Sequence, residues 1–177
     1  MTTNNDSAPL PEERELVITR TFDAPRDLVW KAFTESDRLA QWWGPKGFTM
    51  VVRTLDVRPS GVFHYAMRSP GGQLAWGIFV FREIRAPERI AFISSFADEE
   101  GNIIRAPFSP TWPLEILNTV TLTESGEKTT VTFRGGPANA TEQERDTFWN
   151  SEKSVQKGFA GTFDQLAAYL AGEAKEQ

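Results

Sequence analysis

The end of the chain carries an apolar stripe longer than any strand that precedes it. Phe148, Val155, Phe159, Phe163, Leu166 and Leu170 recur at spacings of seven, four, four, three and four. At about 100° per residue these side chains fall on one narrow helical face. Thr141 followed by Glu144 is a capping box, so the spacing predicts a helix starting there. Run to Ala171, such a helix is roughly 45 Å long at 1.5 Å per residue. A strand of eight residues spans only about 27 Å. The helix must therefore lie obliquely across several strands and grip a sheet.

The preceding sequence supplies that sheet. Glu15–Phe22 alternates as a first strand, with Leu16, Ile18 and Phe22 on one face. Asp23-Ala24-Pro25 reads as a helix entry with a capping acid, and Ser36 as the cap of a second short helix ending at Gly44-Pro45. Strands are then expected over 50–57, 62–67, 74–84, 89–96, 114–123 and 129–134, separated by turn sequences such as Pro59-Ser60-Gly61 and Ser69-Pro70-Gly71-Gly72. Connections this short require antiparallel pairing. The expected fold is α+β: a curved antiparallel sheet of about six or seven strands wrapped around the long C-terminal helix, with two short helices after the first strand. At 177 residues one domain suffices. It is expected over residues 14–172, between a disordered tail at 1–13 and a flexible tail at 173–177.

A twisted sheet curls around a helix laid on it, and one stripe then has to fill a wide trough. Two packings are compatible with the sequence: interdigitated rings with no void, or a ring-lined cavity suited to a small apolar molecule. The rings are plentiful, with 13 Phe and 6 Trp, each able to bury roughly 150–250 Å². Candidate lining groups are Trp42, Trp43 and Phe48 near the second helix, Phe63, Tyr65 and Met67 on one strand face, and Phe92 and Phe96 on another. Trp112 in the 97–113 loop and Trp149, Phe159 and Phe163 in the closing helix complete the rings, with Asn118 as a buried polar anchor. Gly158 and Gly161 interrupt the helix off the stripe, which implies a kink or a close neighbouring segment, the alternative being a hinge at the cavity mouth. The strand segment from Ala75 to Phe81 is apolar on both faces, so its outer side needs a cover: the 97–113 loop, or a second copy in a homodimer.

The residue inventory narrows the chemistry. Cysteine is absent and His64 is the single histidine, which excludes thiolate nucleophiles, disulfides and histidine metal clusters. Alternation with Phe63 and Tyr65 turns His64 outward, as an exposed residue. Asp98, Glu100 and Asn102 imitate part of a calcium loop but read as a polar turn. Arg82, Glu83, Glu115 and Arg134 read as solvent-facing ion pairs. No phosphate-cradling glycine motif appears, and Asn139-Ala140-Thr141 matches only a glycosylation acceptor. No catalytic residue, metal or cofactor is assigned. The net charge of -5 with scattered Lys and Arg argues against nucleic acid, and no run reaches the roughly 18 apolar residues of a membrane span. With no leader pattern at Met1–Asp6, cytoplasm is the expected compartment.

Four segments carry a family resemblance: 22–33 (Phe-Asp-Ala-Pro-Arg-Asp-Leu-Val-Trp-Lys-Ala-Phe), 39–48 (Leu-Ala-Gln-Trp-Trp-Gly-Pro-Lys-Gly-Phe), 82–90 and 158–170. In this order they resemble domains related to the activator of the ninety-kilodalton heat-shock chaperone ATPase, over about Glu15 to Ala171. The resemblance implies the helix-grip fold shared with lipid-transfer START domains, the birch-pollen allergen and polyketide cyclases. It also implies a hydrophobic ligand between helix and sheet, and a chaperone as an alternative partner. Three functions follow in order: a non-catalytic carrier of a small hydrophobic or aromatic molecule, a stress-related co-chaperone, and a cyclase- or hydrolase-type enzyme using Glu115 with Asn118 or Arg82.

Overall fold

The computed structural model describes residues 14–175. The tail expected at 1–13 lies outside the described residues, as do positions 176 and 177. Seven strands form one antiparallel sheet: β1 (Leu16–Phe22), β2 (Thr49–Leu55), β3 (Val62–Arg68), β4 (Leu74–Arg85), β5 (Arg89–Ala97), β6 (Glu115–Ser125) and β7 (Lys128–Ala138). Their spatial order is β1-β7-β6-β5-β4-β3-β2. From β2 to β7 the chain is a meander, and β1 pairs with β7 at one edge. Between β1 and β2, α1 (Arg26–Thr34) and α2 (Ser36–Trp42) carry the chain from one edge of the sheet to the other. The closing segment is α3 (Glu142–Asn150) followed by α4 (Glu152–Lys175). This is the α+β helix-grip architecture.

The stripe faces the sheet as its spacing requires: Phe148, Phe163, Leu166 and Leu170 are buried, and Val155 and Phe159 half-buried. Three details of the sequence reading change. First, the single closing helix is two, broken at Ser151. The Ser151 Oγ donates to the Thr147 carbonyl at 3.0 Å, while its N–H reaches back only to Phe148. Such back-bonding competes with the helical ladder and bends helices. Second, α4 continues past Ala171 through Lys175, because Arg38 of α2 donates to Glu173 at 2.7 Å and to the Tyr169 hydroxyl at 3.0 Å. Residues 173–175, expected in a flexible tail, are therefore helical. Third, β7 runs on through Gly135-Gly136-Pro137. β1 begins at Leu16 opposite Gly135, so beyond that point β7 has an open side where a missing N–H costs no ladder bond.

The helix entries also differ from expectation. Pro25 and Glu35 hold the cap positions of α1 and α2, and neither Asp23 nor Ser36 caps through its side chain. Only the Thr141–Glu144 box forms as read, with Glu144 N–H donating to Thr141 Oγ1 at 3.1 Å and Thr141 N–H to Glu144 Oε1 at 2.9 Å.

Gly158 and Gly161 have neither role expected of them. Both are exposed on a continuous α4, and an added Cβ would meet nothing within 4 Å. With no strain to oppose it, alanine at each position is expected to stabilise the fold by about 1 kcal/mol through helix propensity alone. Urea titration of Gly158→Ala and Gly161→Ala checks this, and a lower midpoint in either would show that the glycine is needed.

On the outer face, the 97–113 loop supplies the cover that β4 needs. It folds back as a short bridge between Ala97 and Ile103. Gly101 then sits over His64 and Ile78, whose atoms lie 3.8 and 3.9 Å from its Cβ direction. His64 does point outward, but it is buried rather than exposed, with Nε2 3.0 Å from the Asp98 carbonyl. Asp98, Glu100 and Asn102 form the polar turn expected of them: the Asp98 carboxylate accepts both of the other backbone N–H groups and the Asn102 amide.

Candidate functional site

A cavity of about 270 Å³ lies between the concave face of the sheet and the closing helices. Its existence follows from the order of side chains across the sheet. Hydrogen-bonded neighbours on the concave face form three rows: Tyr65–Gly77–Phe96, Phe63–Phe79–Ser94–Ile116, and Phe81–Phe92–Asn118–Gly135–Leu16. Each row of large groups contains one small residue, Gly77, Ser94 or Gly135. The floor is therefore dimpled where the rows cross the middle of the sheet. Phe148 of α3 and Val155 and Phe159 of α4 span the opening above it. Below them the core closes again, with Trp42, Phe163, Leu166 and Leu170 fully buried.

The walls are nearly all apolar. No charged side chain lines the space among the described residues. Asn118 is 5% exposed and gives its amide to Ser94 Oγ at 2.9 Å and the Ile116 carbonyl at 3.0 Å. Tyr65 lies across Gly77, stacked on Phe63 with ring centroids 4.5 Å apart. Burial pushes its phenol up to about 12, against a hydrogen bond with Trp43 that pulls the other way. At neutral pH Tyr65 is therefore an uncharged polar group.

One end of the cavity is closed by the 105–113 segment, which is tied to α3. Arg105 pairs with the Glu144 carboxylate and donates to the Trp112 carbonyl at 3.2 Å. The Thr111 and Thr147 hydroxyls share a bond of 2.8 Å, and Trp112 sits against Phe148 with centroids 5.4 Å apart. Glu144 thus both completes the α3 capping box and anchors this segment. The Thr141 N–H and then Arg105 hold its carboxyl below the usual glutamate range. The other end is fixed by α4, where Gln165 Nε2 donates to the carbonyls of Gly44 and Trp42.

Of the residues singled out from sequence, Trp43, Tyr65, Met67, Phe92, Phe96, Trp112, Asn118 and Phe159 line this space. The others sit elsewhere. Phe63 and Phe163 are buried beside it, and Trp42 is core, its ring N–H bonded to the Ala32 carbonyl at 2.9 Å. Phe48 is 37% exposed at the surface. Trp149 turns away under the Arg14 guanidinium, 4.1 Å from its ring centroid. Lining residues that the sequence reading passed over include Gly77, Phe79, Ser94, Phe133, Gly135 and Val155. Strand alternation contained the signal, since Gly77, Ser94 and Gly135 each lie two positions from a concave-face phenylalanine.

Among the described residues no group of three or more His, Asp or Glu side chains is placed to hold a metal ion, and no helix is long and apolar enough to cross a membrane. Glu83 pairs with Arg89 and Arg85, and Arg134 with Glu15, at the surface as expected. Arg82 is exposed, and Glu115 holds the Asn139 amide at 3.0 Å.

A family model described as Activator of Hsp90 ATPase homolog 1-like protein matches residues 23–171. Solved structures share the fold along almost the whole chain. A Mycobacterium smegmatis protein is 27% identical, with 88% of this chain and 90% of that chain covered and a TM-score of 0.72. A protein from Arthrobacter aurescens is 25% identical, over 93% of this chain and 90% of that one, at a TM-score of 0.78. A Silicibacter pomeroyi protein at 17% identity and TM-score 0.70, covering 90% of this chain and 99% of its own, is similar in fold alone. No curated protein matches the chain.

Proposed function

The chain belongs to the family of Activator of Hsp90 ATPase homolog 1-like proteins, and from that premise we propose that it is a carrier for one small apolar or aromatic molecule held between sheet and α4. The observation that supports this reading is the uncharged, ring-lined space of about 270 Å³. At interior packing density such a space takes roughly 200 Å³ of ligand, the bulk of a two- or three-ring molecule. An ion would lose its water there without gaining a counter-charge, so a neutral guest is favoured. Trp43 and Trp112 line the space and report on its contents. Titrating the protein with neutral N-phenyl-1-naphthylamine is expected to change tryptophan emission saturably at one equivalent. Unchanged emission at every concentration would end the carrier reading.

A co-chaperone role has support of a different kind: the family description, together with an exposed apolar rim where Phe108 is 63%, Ile103 46% and Ile104 40% accessible. It requires faster ATP turnover by the cognate chaperone, and an unaltered rate at saturating protein would dismiss it. The enzyme reading has less to stand on. Neither Glu115 nor Arg82 reaches the cavity, and its lining holds no acid or base that titrates near neutrality.

A further inference from the structure

We infer that Asn118 and Ser94 form a recognition point inside the cavity, selecting an uncharged ring compound that carries a hydrogen-bond donor beside an acceptor, as an aryl carboxamide or a lactam does. The inference rests on the carrier reading and gives it a chemical class.

It begins with an accounting of hydrogen bonds. A side-chain amide has two donors and an acceptor oxygen. One Asn118 contact is the Ile116 carbonyl, which can only accept, so the nitrogen must face it at 3.0 Å. The same nitrogen meets Ser94 Oγ at 2.9 Å. Both amide hydrogens are thereby used, and which end of the amide is nitrogen is settled by chemistry. Asn118 Oδ1 is left with no partner among the described residues. Unlike the Trp149 ring N–H, this oxygen is not sealed off: it opens to the cavity, where a ligand donor can take the place of water.

The neighbouring positions keep this oxygen open. Gly135 lies directly opposite Asn118 in the ladder, and a Cβ there would stand 3.1 Å from Oδ1. Any other residue would cover the acceptor. Ser94 completes the pair. Its oxygen accepts from Asn118, so its own proton turns elsewhere, and among the described residues it has no acceptor. The cavity wall thus offers an acceptor and a donor side by side in surroundings of Phe92, Phe133 and Ile116. A carboxamide group presents the complementary pair, whereas an ester presents only an acceptor and a carboxylate brings an uncompensated charge.

The test compares 2-naphthamide, methyl 2-naphthoate and 2-naphthoate at pH 8 by tryptophan emission, with N-phenyl-1-naphthylamine as reference. The amide is expected to bind about ten-fold more tightly than the ester, the margin of one net buried hydrogen bond, and the carboxylate more weakly than either. In Asn118→Leu the ratio of amide to ester affinity should fall from about ten to about one. In Gly135→Ala the added methyl should shield Oδ1 with the same result, which decides the matter if the leucine variant does not fold. Equal affinity for amide and ester in the unaltered protein, or an amide preference that survives Gly135→Ala, overturns the inference and leaves the carrier reading standing. Failure of all four compounds to bind removes both.

Discussion

Trp42→Ala should remove about 3–5 kcal/mol of folding stability, the range for deleting a large ring from a packed core. For a chain of this length that is a fall in melting temperature of roughly 6–20 °C. The expected size comes from where the ring sits. Trp42 is 1% exposed and meets Phe33 and Trp43 edge-on, at centroid distances of 4.9 and 5.5 Å. Its N–H is also the partner of the Ala32 carbonyl in α1. The alanine variant therefore opens a void between both short helices and α4, and it orphans a buried carbonyl. Trp42→Phe separates these effects, since it keeps most of the ring and loses only the hydrogen bond, about 1 kcal/mol. Phe48→Ala, at a neighbouring but exposed position, should stay within about 0.5 kcal/mol of the parent. Thermal melts of the three variants check the ranking, and a Trp42→Ala protein as stable as Phe48→Ala would refute it.

Gly77→Val is expected to weaken N-phenyl-1-naphthylamine binding by roughly ten-fold or more while the fold persists, since overpacking of this kind costs about 1–3 kcal/mol. A Cβ at position 77 would come within 2.7 Å of Tyr65 Cζ and its hydroxyl oxygen. The phenol ring has to move. Phe63 and Phe79 pack against the ring with centroids at 4.5 and 5.6 Å, and Trp43 holds its hydroxyl, so the free direction is into the cavity. The valine methyls occupy more of the same space. Emission titration gives the affinity, and far-ultraviolet circular dichroism the state of the fold. Unimpaired binding in a folded Gly77→Val protein would show that the probe sits somewhere other than over the Tyr65–Gly77 row.

What could be read from sequence divides along physical lines. Strands, their antiparallel pairing and the grip of the closing helix were legible because each depends on a local period: two for the strands, 3.6 for the stripe of Phe148 to Leu170. The break at Ser151 was not, because neither glycine nor proline marks it and it shows only in the Ser151 N–H reaching back to Phe148 instead of Thr147. His64 shows the same limit from another side. Alternation told which way it points, but burial depended on a loop returning over it from residue 98 onward. For the cavity, attention to large rings found Trp43, Tyr65 and Phe159 and misplaced Trp42 and Phe163. Rings fill a core as readily as they line a space. What separates the two outcomes is the small residues between them, and which rings flank Gly77, Ser94 and Gly135 is set only by the strand register.

The pairing of the first strand with the last has its effect during synthesis. Over a hundred residues separate Phe22 from its partner Thr129, an interval that takes a ribosome about 5–20 s to translate. Through that time the meander from β2 to β6 can assemble hairpin by hairpin, each pairing being local, while the leading segment has no backbone mate. Its exposure ends only when β7 emerges, and the concave face is not capped until α4 follows. A slow codon stretch anywhere between the two strands would thus lengthen the vulnerable interval by its own delay.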